Sequence, residues 1–182
     1  EGQAVVEADS KQAATDMIRE LERQLHQKEA EIAMLREITT VICGETDLQK
    51  VFTLVAESAR DLIQAETVTI PILARDQSSY VYRAAAGRNA EELINATLPI
   101  EIGICGWVLR HRKPWWRGVL DLLSENERNQ WEKEAGTVIL VPLVGKRQFL
   151  GGIAGINKAG GGEFNKRDLD LLTLFASQVG VA

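Results

Sequence analysis

From Lys11 to Ile42 the chain has neither glycine nor proline, and its large apolar residues fall at Ile18, Leu21, Leu25, Ile32, Leu35 and Ile42, in alternating steps of three and four once Lys28 and Thr39 fill the remaining positions. The residues between them are mostly Glu, Gln, Ala, Arg and Lys, which enter a helix at little cost. This is a heptad repeat, with Ile18, Leu25, Ile32 and Thr39 at position a and Ala14, Leu21, Lys28, Leu35 and Ile42 at position d. So narrow a stripe cannot anchor a helix on a thick core; it suits a two-stranded seam. Ile at a with Leu at d favours a parallel pair, and Glu31 at g with Arg36 at the next e would cross between parallel strands. Lys28 weakens the seam locally and helps to fix its register. We therefore expect a homodimer through Ile18, Leu21, Leu25, Ile32 and Leu35, with His26 on the solvated side.

Residues 1–43 form this helical part, and Gly44 opens a segment of different character. Thr46 and Gln49 have capping-box spacing, and Asp47 suits the positive end of the helix that follows. Apolar residues from Leu48 to Ile63 make a face broad enough to lie on a sheet. Val68 to Leu73 and Tyr80 to Ala86 flank Asp76-Gln77-Ser78-Ser79 and read as an antiparallel hairpin; Pro71 implies an edge or a bulge in the first strand. A short helical piece from Ala90 to Ile94 leads to Thr97–Ile100, and a helix bracketed by Gly103 and Gly106 runs to about Arg112, before Pro114. Trp115-Trp116-Arg117 reads as a short strand and Leu123 to Glu134 as a polar helical connection. Thr137–Val144 and Gln148–Asn157 form a second hairpin around Gly145-Lys146-Arg147, and a last helix opens at Phe164 and Asn165. Hairpins at both ends demand an antiparallel sheet, so the expected fold is α/β in the α+β sense. Its terminal helices lie on one face and its loops and short helices on the other, which can leave a closed pocket.

The bulk properties narrow the function classes. The formal net charge is −5, which offers no basic footprint for nucleic acid or an anionic membrane. No apolar run is long enough to span a bilayer and no signal peptide is visible, which says nothing about a membrane anchor elsewhere in a parent protein; two reduced thiols suit a cytosolic protein, so a cytoplasmic location is expected for this part. The two cysteines, Cys43 and Cys105, and the two histidines, His26 and His111, lack the spacing of a zinc site. No paired carboxylate or Cys-His pair has catalytic spacing, so no enzymatic activity and no metal are expected. The chain begins at Glu1 and ends at Ala182 inside a periodic apolar segment, from which we expect it to be part of a longer protein.

Several segments resemble the GAF family of small-molecule-sensing domains, relatives of PAS domains, over about residues 35 to 182. Asp47-Leu48, Leu62-Ile63-Gln64-Ala65-Glu66, Gly103-Ile104-Cys105-Gly106-Trp107-Val108, Lys113-Pro114, Val141-Pro142-Leu143 and Gly151-Gly152-Ile153 carry the likeness. His111-Arg112 stands where the family more often has glycine. Asn157-Lys158, Phe164 and Asp168 match the Asn-Lys…Phe-x-x-x-Asp-Glu signature of GAF domains in cyclic-nucleotide phosphodiesterases, with Leu169 replacing the final Glu. Physically, a Lys158–Asp168 salt bridge would pin a strand–helix corner and Phe164 would plug it. We read Asn157, Lys158, Phe164 and Asp168 as a structural latch.

The resemblance implies a GAF/PAS-like sensory module, spanning residues 44–182, that relays ligand binding through a dimeric coiled coil to an attached output domain. The alternative is a ligand-free dimerisation spacer. For a ligand, sheet residues Thr69, Tyr82 and Arg83 should face Cys105, Val108, Trp115 and Arg117, with the two guanidinium groups favouring an anion. Photosensory relatives that attach a bilin place His after their Cys, but Gly106 follows Cys105. His111 lies in a polar run unlike a haem site, and a GAF-type methionine sulfoxide reductase needs more cysteines. No cofactor is therefore expected. Gly161-Gly162-Glu163-Phe164 spells part of the diguanylate cyclase signature, but Gly162 stands where its second acid belongs.

Overall fold

A computed structural model describes residues 2–116, 132 and 135–180, with the side chains of residues 11–40, 42, 44–116, 132 and 135–180. The chain divides into two compact units, Glu1–Ile38 and Thr39–Ala182. No helix among the described residues is long and apolar enough to cross a membrane.

The heptad segment lies within one helix, α1 (Gly2–Gly44). Its surface is tied by short-range pairs such as Arg23 with Glu20 and Lys28 with Glu31. Within the first unit, Ile18, Leu21 and Leu25 are 56–58% exposed and Ile32 is 44% exposed, whereas Leu35 is buried. A row of large apolar side chains left in water at heptad spacing is unfavourable for an isolated helix.

The second unit is a five-stranded antiparallel sheet in the order β3-β2-β1-β5-β4. The strands are β1 (Ala65–Leu73), β2 (Ser79–Gly87), β3 (Thr97–Pro99), β4 (Val138–Val144) and β5 (Phe149–Lys158). The helices are α2 (Leu48–Ile63), α3 (Ala90–Leu93), α4 (Gly103–His111) and α5 (Lys166–Gly180). Central strand β1 is buried over most of its length, as its run of β-branched residues requires. α2 and α5 pack on one face of the sheet, where Gly155 leaves room for Ile63 of α2, Ile139 and Phe164. α4 packs on the other face, the cover face, against Tyr80, Tyr82, Leu140 and Ala154.

Two local expectations are corrected. The N-cap of α2 is Asp47, whose carboxylate accepts the Gln49 N–H at 2.9 Å, and the Thr46–Gln49 capping box does not form. The Gln49 amide donates instead to the Arg83 carbonyl at 2.8 Å, because β2 runs close to the helix start. Pro71 lies on no edge, since β1 is central; a bulge is present, but on the partner strand rather than on β1. Ile70 pairs with Ala84 and Pro71 with Tyr82, so Arg83 is the extra residue. A proline has no N–H for the ladder, and the ladder is irregular at that point. Within the expected strand Trp115-Trp116-Arg117, Trp115 forms an isolated bridge with Leu140, the two exchanging both backbone hydrogen bonds at 2.8 Å. Of the expected connection Leu123–Glu134, all but Glu132 lies outside the described residues, as do Arg117 and the Cys43 side chain.

Candidate functional site

The register decides what faces the cover. On β1 the face carries Thr67, Thr69, Pro71 and Leu73; their partners on the neighbouring strands include Ala85, Ala154, Ile156 and Tyr82. The bulge at Arg83 shifts the alternation of β2, so Tyr80 and Tyr82 point to the cover while Ala84 pairs with helix-side Ile70. A strip of small groups, Ala85, Thr69 and Ala154, thus crosses three strands at the centre of the cover face. Without the bulge, Tyr80 and Tyr82 would fall on the helix side.

Above this floor sits α4. Its entry is set by Gly103, at φ +79°, and by Gly106, where a Cβ would stand 2.2 Å from the Ile100 carbonyl oxygen. The helix has no N-terminal side-chain cap from its own neighbourhood. Glu132 supplies one from far along the chain: the Ile104 N–H donates to its carboxylate at 2.6 Å, and the residue is buried. Negative charge at a helix start is favourable. The next residue, Cys105, accepts the Tyr82 hydroxyl at 3.7 Å, and the Tyr80 hydroxyl donates to the Ile102 carbonyl at 2.9 Å. The two tyrosine rings meet edge to face at 5.7 Å. Burial pushes the Cys105 thiol well above its usual range; the Glu132 carboxylate adds to the rise and the Tyr82 hydroxyl opposes it. The thiol is therefore protonated and a poor nucleophile at neutral pH.

Of the residues expected to line a pocket, Tyr82, Cys105, Val108 and Trp115 gather in one buried cluster, with Tyr80, Ile104 and Leu140 beside them. Thr69 lies fully buried on the same face, and its hydroxyl finds no hydrogen-bond partner among the described residues. Arg83 does not join them. As the bulged residue it is exposed, with its carbonyl held by α2. Arg117 lies outside the described residues. Toward the far end of β1 the cover face opens into a cleft of about 340 Å³, lined by Thr67, Asn89, Leu93, Ala135, Ile156 and Asn157 among others. The Thr67 hydroxyl there donates to the Arg88 carbonyl at 2.7 Å. The sequence reading missed Glu132, Tyr80 and Thr67. Tyr80 depends on the bulge, and nothing local distinguishes Glu132 from the other acids of its polar segment.

The residues of the strand–helix corner are also in place. The Lys158 ammonium donates to Asp168 at 2.7 Å and to the Ile63 carbonyl at 2.9 Å. Asp168 accepts the Asn165 N–H at 2.9 Å, and Asn165 accepts the Asp168 N–H at 3.1 Å, a reciprocal cap on α5. Asn157, at φ +55°, accepts the Gly136 and Thr137 amides at 2.8 and 3.2 Å, while Phe164 is buried beneath the Lys158 ammonium.

This architecture of sheet, cover and corner has relatives. A family model described as GAF domain matches residues 45–182. The chain belongs to the GAF domain family. The GAF domain of an Acinetobacter phosphoenolpyruvate-protein phosphotransferase superposes with a TM-score of 0.69 at 18% identity, over 83% of this chain and 90% of that one. GAF-B of DevS from Mycobacterium smegmatis gives 0.59 at 24% identity, over 74% and 90%. The free methionine-R-sulfoxide reductase of Neisseria meningitidis, in complex with its substrate, gives 0.66 at 17% identity, over 82% and 86%. At these identities the likeness shows the fold alone. GAF domains are commonly sensory or regulatory modules, and the neighbours include both signalling proteins and an enzyme.

Proposed function

We propose that this GAF domain is a regulatory module that takes a small molecule on the cover face of its sheet, floored by Thr67 and Thr69 and bounded by Tyr82 and Cys105. The observation that carries the reading is the Thr69 hydroxyl: fully buried, without a partner among the described residues, on a strip of small side chains. A buried polar group left unpaired costs free energy, and a ligand that meets it recovers that cost. The cleft beside Thr67 is the route of approach. The competing reading, a ligand-free spacer, draws support from the packed cluster of Tyr80, Tyr82, Ile104 and Trp115, which fills the other half of this face.

Thr69→Val separates the two. Removing an unsatisfied buried hydroxyl while keeping its shape should stabilise the free domain by about 1 kcal/mol. Under the sensory reading the same substitution diminishes the thermal shift given by a metabolite panel; a ligand at a hundredfold excess over its Kd stabilises the unsubstituted domain by about 2.7 kcal/mol. If no compound shifts the melt and Thr69→Val only stabilises, the spacer reading stands.

The relay we propose runs through a parallel homodimer of α1, joined by Ile18, Leu21, Leu25 and Ile32, to an output domain in the parent protein; Leu35, expected in the same seam, is left out because it is already buried in the single chain. The exposure of these four side chains at heptad spacing supports it. Light scattering should give a dimer for the full chain and a smaller species for a chain starting near Arg36; a monomeric full chain at high micromolar concentration rejects the relay. We also propose that the domain is not a catalyst, in contrast to its sulfoxide-reductase neighbours. The protonated, fully buried Cys105 thiol supports this. Thiol-dependent reduction of free methionine sulfoxide that disappears in Cys105→Ser would overturn it.

A further inference from the structure

We propose a second ligand site, separate from the one at Thr67 and Thr69: a cleft at the hairpin end of the sheet that binds a phosphoryl group through Arg75, Arg112 and Arg147. The cleft has a volume of about 380 Å³ and lies among the turn between β1 and β2, the turn between β4 and β5, and the C-terminal end of α4. Its lining includes the three arginines, Gln77, Gln148 and Phe149, and no acidic residue. In a chain where Asp and Glu outnumber Lys and Arg by 26 to 21, a cleft with three cations and no anion is a local reversal of charge. No carboxylate among the described residues forms a salt bridge with any of the three. Asp76, in the same turn as Arg75, is engaged elsewhere: it accepts the Ser78 N–H and hydroxyl at 3.1 and 2.8 Å.

The backbone at Arg112 is the second observation. This residue caps α4 in the left-handed conformation, at φ +54°, and its N–H donates to the Val108 carbonyl at 2.7 Å. Glycine is the residue at ease in such a cap. The Arg112 side chain lies over the Phe149 ring, 5.1 Å from its centroid, which holds the guanidinium at the cleft. Gln148 is fixed in its turn by the Gly145 N–H, which donates to its carbonyl at 2.8 Å.

The number of guanidinium groups selects the ligand class. A single carboxylate neutralises one; a phosphate monoester or pyrophosphate carries more charge and offers several oxygens to planar donor forks. The volume is in the range of small-molecule sites. The phosphoryl group has two possible sources, a soluble phosphorylated metabolite or a phosphate-monoester lipid headgroup, and the recognition chemistry is the same for both.

The test uses the full chain. Pyrophosphate is titrated calorimetrically at matched ionic strength into the unsubstituted protein, the triple variant R75Q/R112Q/R147Q, and Arg112→Gly. Sedimentation with phosphatidylcholine vesicles, with and without phosphatidic acid, is measured alongside. We expect pyrophosphate to bind, the triple variant to bind roughly tenfold or more weakly, and Arg112→Gly to lose a few-fold. Arg112→Gly should melt no lower than the unsubstituted chain, because glycine relieves the cap, which separates lost binding from lost folding. Thr69→Val should bind pyrophosphate normally, so this site and the one at Thr67 and Thr69 can fail independently. Binding confined to phosphatidic acid vesicles and lost in the triple variant supports the same site with a lipid source. Equal binding by the triple variant and the unsubstituted chain, or no binding to either probe, overturns the proposal.

Discussion

Asp168→Ala tests whether the strand–helix corner holds the GAF domain together. Asp168 is buried, its side chain 7% exposed, while the Lys158 side chain is 21% exposed. The substitution removes the Lys158 partner at 2.7 Å and the acceptor of the Asn165 N–H at 2.9 Å. Breaking a fully buried pair costs about 3–5 kcal/mol, because a charge is stranded away from water. Here the Lys158 ammonium keeps the Ile63 carbonyl and some access to solvent, so this part falls to about 2 kcal/mol. Losing the cap on α5 adds about 1 kcal/mol. The sum is about 3 kcal/mol, a drop of roughly 10 °C in Tm for a domain of this size. Asp168→Asn keeps an oxygen for the Asn165 N–H and should lose about half as much. Urea melts of Asp168→Ala, Lys158→Met and the double variant measure both the cost and the coupling. A loss below about 1 kcal/mol with additive single effects would mean the corner behaves as an ordinary surface pair, and the reasoning from burial would fail.

Gly106→Ala should destabilise by about 2 kcal/mol or more, read by denaturant melt, because its Cβ would stand 2.2 Å from the Ile100 carbonyl oxygen, which is backbone and cannot swing aside. Asn157→Ala should cost more than Asn157→Gly: both lose the acceptor for Gly136 and Thr137, but only glycine accepts φ +55° freely. Cys105 should resist a thiol reagent until the domain unfolds, a difference read by labelling in native buffer and in urea. Its raised native pKa also gives a pH effect. The unfolded chain releases the thiol proton near the usual value of 9.0 while the native chain retains it. This contribution is therefore present below that pH and lost as pH rises above it, and Cys105→Ala should flatten the alkaline slope of stability.

The order of elements was legible because each has its own periodicity. Steps of three and four from Ile18 to Ile42, the broad face from Leu48 to Ile63 and the β-branched run Val68–Leu73 depend only on which residues can share a helix or strand face. The pairing of Lys158 with Asp168 was legible from the family signature that both residues match, together with the preference of a helix start for an acid. Tertiary structure decided the site. Tyr82 and Arg83 are neighbours in sequence, and only the bulge opposite Pro71 sends one to the cover and the other to solvent. Glu132 looks like any acid of a polar segment until the start of α4, 28 residues before it in sequence, comes within 2.6 Å. Thr69 is an ordinary strand threonine until Ala85 and Ala154 flank it and its hydroxyl is left without a partner among the described residues. Arg75, Arg112 and Arg147 belong to three separate turns, and only the stacking of those turns at one end of the sheet collects their charge. Local sequence fixes which backbone conformations are cheap; which side chains meet across the fold depends on register and packing, which no local window contains.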